Sequence, residues 1–212
     1  MIAIVDYGVG NLFSLKSSFA AIGAQAVVTA DEAVLEQADG ILLPGVGAFG
    51  DAAEKLRTTG LAATLKRLAA AGKPIMGICL GMQLLFEEGF EYGRHEGLGL
   101  IPGRILPIEQ AIPAGLKIPH IGWNALDFGG RESELFRYIR EGDCVYFVHS
   151  YYAANCDEAV IATAEYGAPL TAAVAKGNVY GCQFHPEKSG RVGLHILRAF
   201  CEIAEGTVHE TE

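Results

Sequence analysis

Pro74-Ile75-Met76-Gly77-Ile78-Cys79-Leu80-Gly81-Met82-Gln83 is the stretch on which the reading of this chain turns. An unbroken apolar run over 74–78 passes through a glycine-flanked cysteine into a helical pattern that begins near Leu80. A strand without polar alternation is buried on both faces, which is the situation of a parallel strand covered by helices above and below. The same succession recurs upstream. Residues 2–5, 26–29 and 41–43 read as strands, and a helix over about 12–22 separates the first two. Asn11 is placed to cap that helix and Gly23 to end it. An Ala/Leu-rich helical stretch occupies 51–71, with a break near Gly60.

The second half has another character. Glycines and prolines are dense over 97–124, which predicts antiparallel or edge strands, and 144–153, 159–165, 170–175 and 179–184 read as closely spaced strands. A helix over roughly 192–205 closes the pattern. The sum is an α/β fold: a three-layer α/β/α sandwich around an open, mixed, mostly parallel sheet. Residues 1–212 read as one domain, the usual size being ~100–200 residues. In such sheets reactive groups collect at the carboxyl ends of the strands.

Composition removes several function classes. Half of the 212 residues are hydrophobic and 19% are charged, too apolar for a disordered chain. The formal net charge of −9, with scattered Lys and Arg, predicts no nucleic-acid partner. No apolar run approaches the ~20 residues of a membrane span, and the first residues lack the features of a signal peptide. A cytoplasmic location with no membrane partner is the expectation. The five cysteines are an odd number with no C-x-x-C pair, which argues against a disulfide framework and a zinc site. No metal and no cofactor are expected.

Asp6-Tyr7-Gly8-Val9-Gly10-Asn11-Leu12-Phe13 follows the first strand, where a dinucleotide fingerprint would sit, but Phe13 stands in place of the third glycine. A turn is the simpler reading. Pro44-Gly45-Val46-Gly47 also ends a strand, and by itself it too reads as a turn. Gly77-Ile78-Cys79-Leu80-Gly81 is more specific. It is the cysteine form of the G-x-S-x-G nucleophile elbow, whose sharp strand-to-helix turn needs small residues on both sides. A thiol at a helix amino terminus is also favoured as the thiolate.

Such a nucleophile needs a base, and the base needs an orienting group. Of the six histidines (His95, His120, His149, His185, His195, His209), His185 ends a predicted strand and is followed by Pro186 and Glu187. Glu187 can then hold one ring nitrogen while the other faces Cys79, the logic of a triad with Glu in third place.

On these residues the chain resembles the class I glutamine amidotransferases. More narrowly, it is similar to the glutaminase subunits of imidazole glycerol phosphate synthases. The match also takes in Pro119-His120-Ile121-Gly122-Trp123-Asn124, Tyr146-Phe147-Val148-His149-Ser150-Tyr151 and Gly181-Cys182-Gln183-Phe184-His185-Pro186-Glu187-Lys188-Ser189. The elbow and His185-Pro186-Glu187 belong to the whole class, whereas Asp6-Tyr7-Gly8, Pro44-Gly45-Val46-Gly47 and Gly122-Trp123-Asn124 carry the narrower likeness; 87–96 matches nothing and receives no role.

The resemblance implies hydrolysis of L-glutamine to glutamate and ammonia through a thioester on Cys79, with His185 as acid and base and Glu187 orienting it. It implies an oxyanion hole from the N–H of Leu80 and the Gly45–Val46 segment, chiefly Val46. Glutamine would be held by Gly47, Gln83, His149, Ser150 and Tyr151, with packing on the helix as the alternative for Gln83 and satisfaction of backbone groups as the alternative for Ser150. A (β/α)8-barrel synthase subunit is the implied partner, taking the ammonia to convert PRFAR to imidazole glycerol phosphate and AICAR. Trp123, Tyr146 and Lys188 would face it, with a core position as the alternative for Trp123. The Gly45–Val46 segment would rearrange on partner engagement, since glycine crosses to positive φ at little cost.

Three other readings stand beside this one: a glutaminase of another pathway, a Cys-elbow peptidase or γ-glutamyl hydrolase, and an inert regulatory subunit. The partner, the substrate and the integrity of the triad respectively separate them.

Overall fold

The computed structural model describes residues 1–206, so His209 lies outside the described residues. In chain order the elements are β1 (Ile2–Val5), α1 (Leu12–Ala21), β2 (Ala26–Thr29), α2 (Glu32–Gln37), β3 (Gly40–Leu43), α3 (Phe49–Thr58), α4 (Leu61–Ala70), β4 (Ile75–Ile78) and α5 (Leu80–Gln83). They continue as β5 (Phe86–Gly89), β6 (His95–Glu96), β7 (Ile101–Pro107), β8 (His120–Ala125), β9 (Cys144–His149) and β10 (Tyr151–Ala154). The last are β11 (Val160–Glu165), β12 (Pro169–Lys176), β13 (Val179–Cys182) and α6 (Gly190–Glu205).

The central sheet has seven strands in the order β11-β12-β13-β4-β3-β1-β2. From β13 to β2 every pairing is parallel, and the β11-β12-β13 edge is antiparallel. This is the mixed, mostly parallel sheet that the continuous apolar runs predict. Side chains of β1 alternate between the layers. Ile2 and Ile4 pack with Leu15 and Phe19 of α1 and Ile196 and Phe200 of α6, whereas Ala3 and Val5 pack with Leu56 of α3 and Leu65 of α4. Each such fully buried Leu, Ile or Phe contributes about 1.5–3 kcal/mol relative to exposure.

Local signals act as expected. Asn11 accepts a hydrogen bond from the Ser14 N–H at the start of α1, and Gly60, at φ 81°, separates α3 from α4. Two smaller sheets cover the carboxyl edge: four strands in the order β10-β7-β5-β6, and the β8–β9 hairpin. The run 144–153, read from sequence as one strand, divides at Ser150, because β9 pairs with β8 whereas β10 pairs with β7. No helix among the described residues is long and apolar enough to cross a membrane.

Candidate active site

The sheet registers bring three loops together. Leu43 of β3 pairs with Gly77 of β4, and Cys182 of β13 pairs with Ile78. The carboxyl ends of these neighbouring strands therefore present Pro44–Gly47, Cys79 and Gln183–His185 side by side, where an open α/β sheet places reactive groups.

Cys79 sits at φ 54° and ψ −113°, a strained conformation for a residue with a Cβ. Its N–H donates to the Cys182 carbonyl at 2.8 Å, tying the turn to β13. The flanking glycines are sterically required. A Cβ on Gly77 would lie 2.5 Å from the Gly81 carbonyl oxygen, and one on Gly81 would lie 1.9 Å from that of Leu43. One expectation changes here: the helix after the cysteine, Leu80–Gln83, has four residues. A single turn supplies oriented N–H groups at the sulfur but little of the summed dipole of a long helix.

His185 is carried past the end of β13 on irregular backbone. Its N–H donates to the Tyr146 carbonyl at 3.0 Å, and its own carbonyl accepts from Ser189 Oγ at 2.6 Å. Pro186 then opens a short 3-10 turn, Pro186–Lys188, that swings Glu187 back. The Glu187 carboxylate meets His185 Nδ1 at 2.8 Å, both side chains being almost wholly buried. With Nδ1–H given to Glu187, the remaining ring nitrogen serves the sulfur of Cys79. Burial pushes the imidazole towards its neutral form, but the hydrogen bonds and charges of Cys79 and Glu187 outweigh it and raise the ring from 6.5 to about 9. Oε2 of Glu187 is buried with no hydrogen-bond partner among the described residues, so the carboxylate's polar interaction is concentrated on His185.

A cleft of about 550 Å³ opens over this group, lined by Val46, Gly47, Cys79, Leu80, Gln83, His149, Ser150, Tyr151, His185 and Lys188 among others. It gathers the sequence-predicted residues apart from Gly45, Glu187, Trp123 and Tyr146. Gly45 lies behind the wall, where a Cβ would come 2.8 Å from the Gly81 nitrogen, and Glu187 lies behind His185. Trp123 is 58% exposed, which removes the core position as a reading for it. Its ring stands edge-on to the half-buried Tyr146 at 6.2 Å on the outer face of the β8–β9 hairpin.

Other residues of the site escaped sequence reasoning. Gln183 is fully buried beneath Cys79, with Nε2 3.8 Å from Sγ. Tyr7 donates its hydroxyl to the Pro44 carbonyl at 2.7 Å, and burial, then the charge of Cys79, holds its phenol well above the ordinary range. Glu91 and Tyr92, from the segment given no role, also line the cleft. Glu91 Oε2 accepts the Phe49 N–H at 2.7 Å and so secures the helix that follows Pro44–Gly47. A signal for it existed: Ala48 precedes α3 with no side-chain acceptor of its own, so that orphan donor needed one from elsewhere.

The fold and the arrangement of cysteine, imidazole and carboxylate define a glutaminase-type α/β enzyme, and the comparisons agree. The family model described as "Glutamine amidotransferase class-I" matches residues 3–204, and the chain belongs to that family. Within it the chain groups with the HisH subunits of imidazole glycerol phosphate synthase. It is 49% identical over 209 residues to "Imidazole glycerol phosphate synthase subunit HisH" of Geobacillus kaustophilus, covering 97% of this chain and 98% of the relative. It is 48% identical over 207 residues to the protein of that name in Syntrophotalea carbinolica, covering 96% of this chain and 100% of the relative. Among solved structures, a "glutamine amidotransferase" superposes with TM-score 0.75 at 19% identity, covering 97% of this chain and 100% of the other. PurLQS from Thermotoga maritima superposes with TM-score 0.71 at 20% identity, covering 95% and 97%. Likenesses at these identities bear on the fold.

Proposed function

We propose that residues 1–212 form one glutaminase domain that hydrolyses L-glutamine with Cys79, His185 and Glu187, and passes the ammonia to a (β/α)8-barrel synthase subunit. The observation that carries this reading is the His185–Glu187 pair, at 2.8 Å, with His185 sharing one cleft with a cysteine on a strained elbow and Glu187 behind it. The thiolate of Cys79 attacks the side-chain carboxamide carbon. The resulting oxyanion is met by the Leu80 N–H and by the Gly45–Val46 segment, chiefly the N–H of Val46. Each such donor contributes about 2.7–4 kcal/mol to the transition state. Imidazolium His185 protonates the departing nitrogen, and ammonia leaves a γ-glutamyl thioester. His185, now neutral, takes a proton from water, which attacks the thioester and releases glutamate. Glu187 keeps the ring oriented and stabilises its charge in both halves. Sulfur, imidazole and water balance every proton, so the cycle calls for no cofactor.

Gly47, Gln83, His149, Ser150 and Tyr151 hold the amino-acid end of glutamine, supported by their place around the cleft. The partner docks on the hairpin face and cleft rim marked by Trp123, Tyr146 and Lys188. That placement is supported by exposed apolar surface on β8, where Ile121 is 57% and Trp123 58% exposed. Relatives that bear the name of a synthase subunit support the acceptor chemistry, in which ammonia and PRFAR give imidazole glycerol phosphate and AICAR. The Gly45–Val46 segment rearranges on docking, which confines hydrolysis to the complex.

The test is the glutaminase rate of the chain alone and with the co-purified barrel subunit and its phosphorylated ligand. A low rate alone and a large rise in the complex are expected. A full rate from the isolated chain contradicts the switch, and no glutamine turnover in either state contradicts the reading as a whole.

A further inference from the structure

Behind the sulfur runs an unbroken line of hydrogen bonds. Asn124 Nδ2 donates to the Glu165 carbonyl at 2.8 Å and lies 3.3 Å from His120 Nε2. His120 Nδ1 lies 2.9 Å from His149 Nε2, and His149 Nδ1 lies 2.8 Å from the Tyr151 carbonyl. That carbonyl also accepts from Gln83 Nε2 at 3.4 Å, and the same Nε2 donates to Gln183 Oε1 at 3.0 Å. Gln183 Nε2 then faces Cys79 Sγ at 3.8 Å.

The directions in this line are fixed. A carbonyl can only accept, so His149 carries its proton on Nδ1 and accepts at Nε2. His120 must therefore donate from Nδ1 and accept from Asn124. Gln83 gives its amide hydrogens to Tyr151 and Gln183, so Gln183 Oε1 must face Gln83 and its NH2 must face the sulfur. Turning that amide over would oppose two NH2 groups and leave an oxygen against the sulfur. Both histidines must be neutral for the pattern to hold, and burial pushes both towards neutrality, His149 to about 4. His120 is further clamped between the rings of Phe147 and Tyr166, at 4.9 and 4.2 Å. The titratable groups facing the sulfur are His185, with Glu187 behind it, and Tyr7 from the first loop. Gln183 faces the sulfur with a donor that does not titrate.

We infer that Gln183 is a further catalytic residue: its amide donates to Cys79 Sγ and stabilises the thiolate, while Gln83, His149, His120 and Asn124 are positioning residues that keep the amide turned that way. The inference rests on Cys79 being the nucleophile. A hydrogen bond to a charged acceptor is about twice as strong as one between neutral groups, and burial strengthens it further.

The test is peptide-resolved alkylation by iodoacetamide across pH, on the full chain without glutamine or partner. Wild type is compared with Gln183→Met and with His120→Phe, which keeps the ring stacking but ends the line. Gln183→Met should move the Cys79 alkylation midpoint up by about one pH unit, a rate about ten-fold lower below the midpoint. His120→Phe should move it in the same direction by less, and the exposed Cys144 should be unaffected in both. If Gln183→Met does not fold, the His120→Phe midpoint decides: raised supports the inference, unchanged overturns it. A reactive Cys79 whose midpoint ignores both substitutions overturns this inference alone. A wild-type Cys79 no more reactive than buried Cys182 overturns the nucleophile assignment and the inference with it.

Discussion

Gly81 and Leu43 stand so close that a Cβ on Gly81 would lie 1.9 Å from the Leu43 carbonyl oxygen. The obstacle is backbone of the central sheet, which has no rotamer to move aside. Gly81→Ala should destabilise the fold by about 3 kcal/mol or more, the upper range for overpacking. Gly47→Ala is the contrast: among the described residues nothing lies within 4 Å of its Cβ, and the φ of 98° is what opposes the change. Its cost should be about 1–2 kcal/mol. Urea denaturation of the two variants checks the difference, and equal midpoints would contradict the packing account.

In the proposed mechanism Glu187 acts through His185, which it meets at 2.8 Å. Glu187→Gln keeps an acceptor near Nδ1 but removes the charge, so the imidazolium loses support and the ring's raised value of about 9 falls towards its ordinary one. Glutaminase kcat should drop by about 10²–10⁴-fold while the far-UV spectrum is retained. A loss of less than ten-fold would remove Glu187 from the mechanism.

Acid stability should follow His149. Burial lowers its folded value from 6.5 to about 4, so between those pH values the unfolded chain binds a proton that the folded chain excludes. Stability contributed by this ring is therefore complete above 6.5 and lost as pH falls towards 4, about 3 kcal/mol in all. His185 acts in the opposite sense: its contribution is complete below 6.5 and fades as pH rises through about 9. Denaturation free energies measured from pH 4 to 9 should peak between these limbs. A profile flat below pH 6.5 would show that His149 is not held neutral.

The parallel half of the sheet was legible because each strand is a short apolar run ended by a glycine or a helix signal. The expected bounds 2–5 and 26–29 coincide with β1 and β2, and the break near Gly60 does separate α3 from α4. The run 144–153 misled, because its apolar character continues through Ser150 and only pairing with two different partners divides it. Strands β5 and β6, of four and two residues, carry Glu87, Glu88 and Glu96 and owe their form to pairing, β6 with β5 and β5 with β7. The glycine-flanked Cys79 and the His185-Pro186-Glu187 turn announce themselves locally. The line from Asn124 to Gln183 does not. Its members meet only because β8 pairs with β9 and the loop after β13 passes beneath α5, and no spacing in the chain encodes that.

The most direct measurement is acid-quench trapping of the glutaminase cycle in the complex with the barrel subunit and its phosphorylated ligand, read by peptide mass mapping. A γ-glutamyl thioester on Cys79, formed at a rate at least equal to turnover and absent in Cys79→Ala, is the predicted result. Glutamine turnover that persists in Cys79→Ala, or an adduct on any other cysteine, would contradict the account.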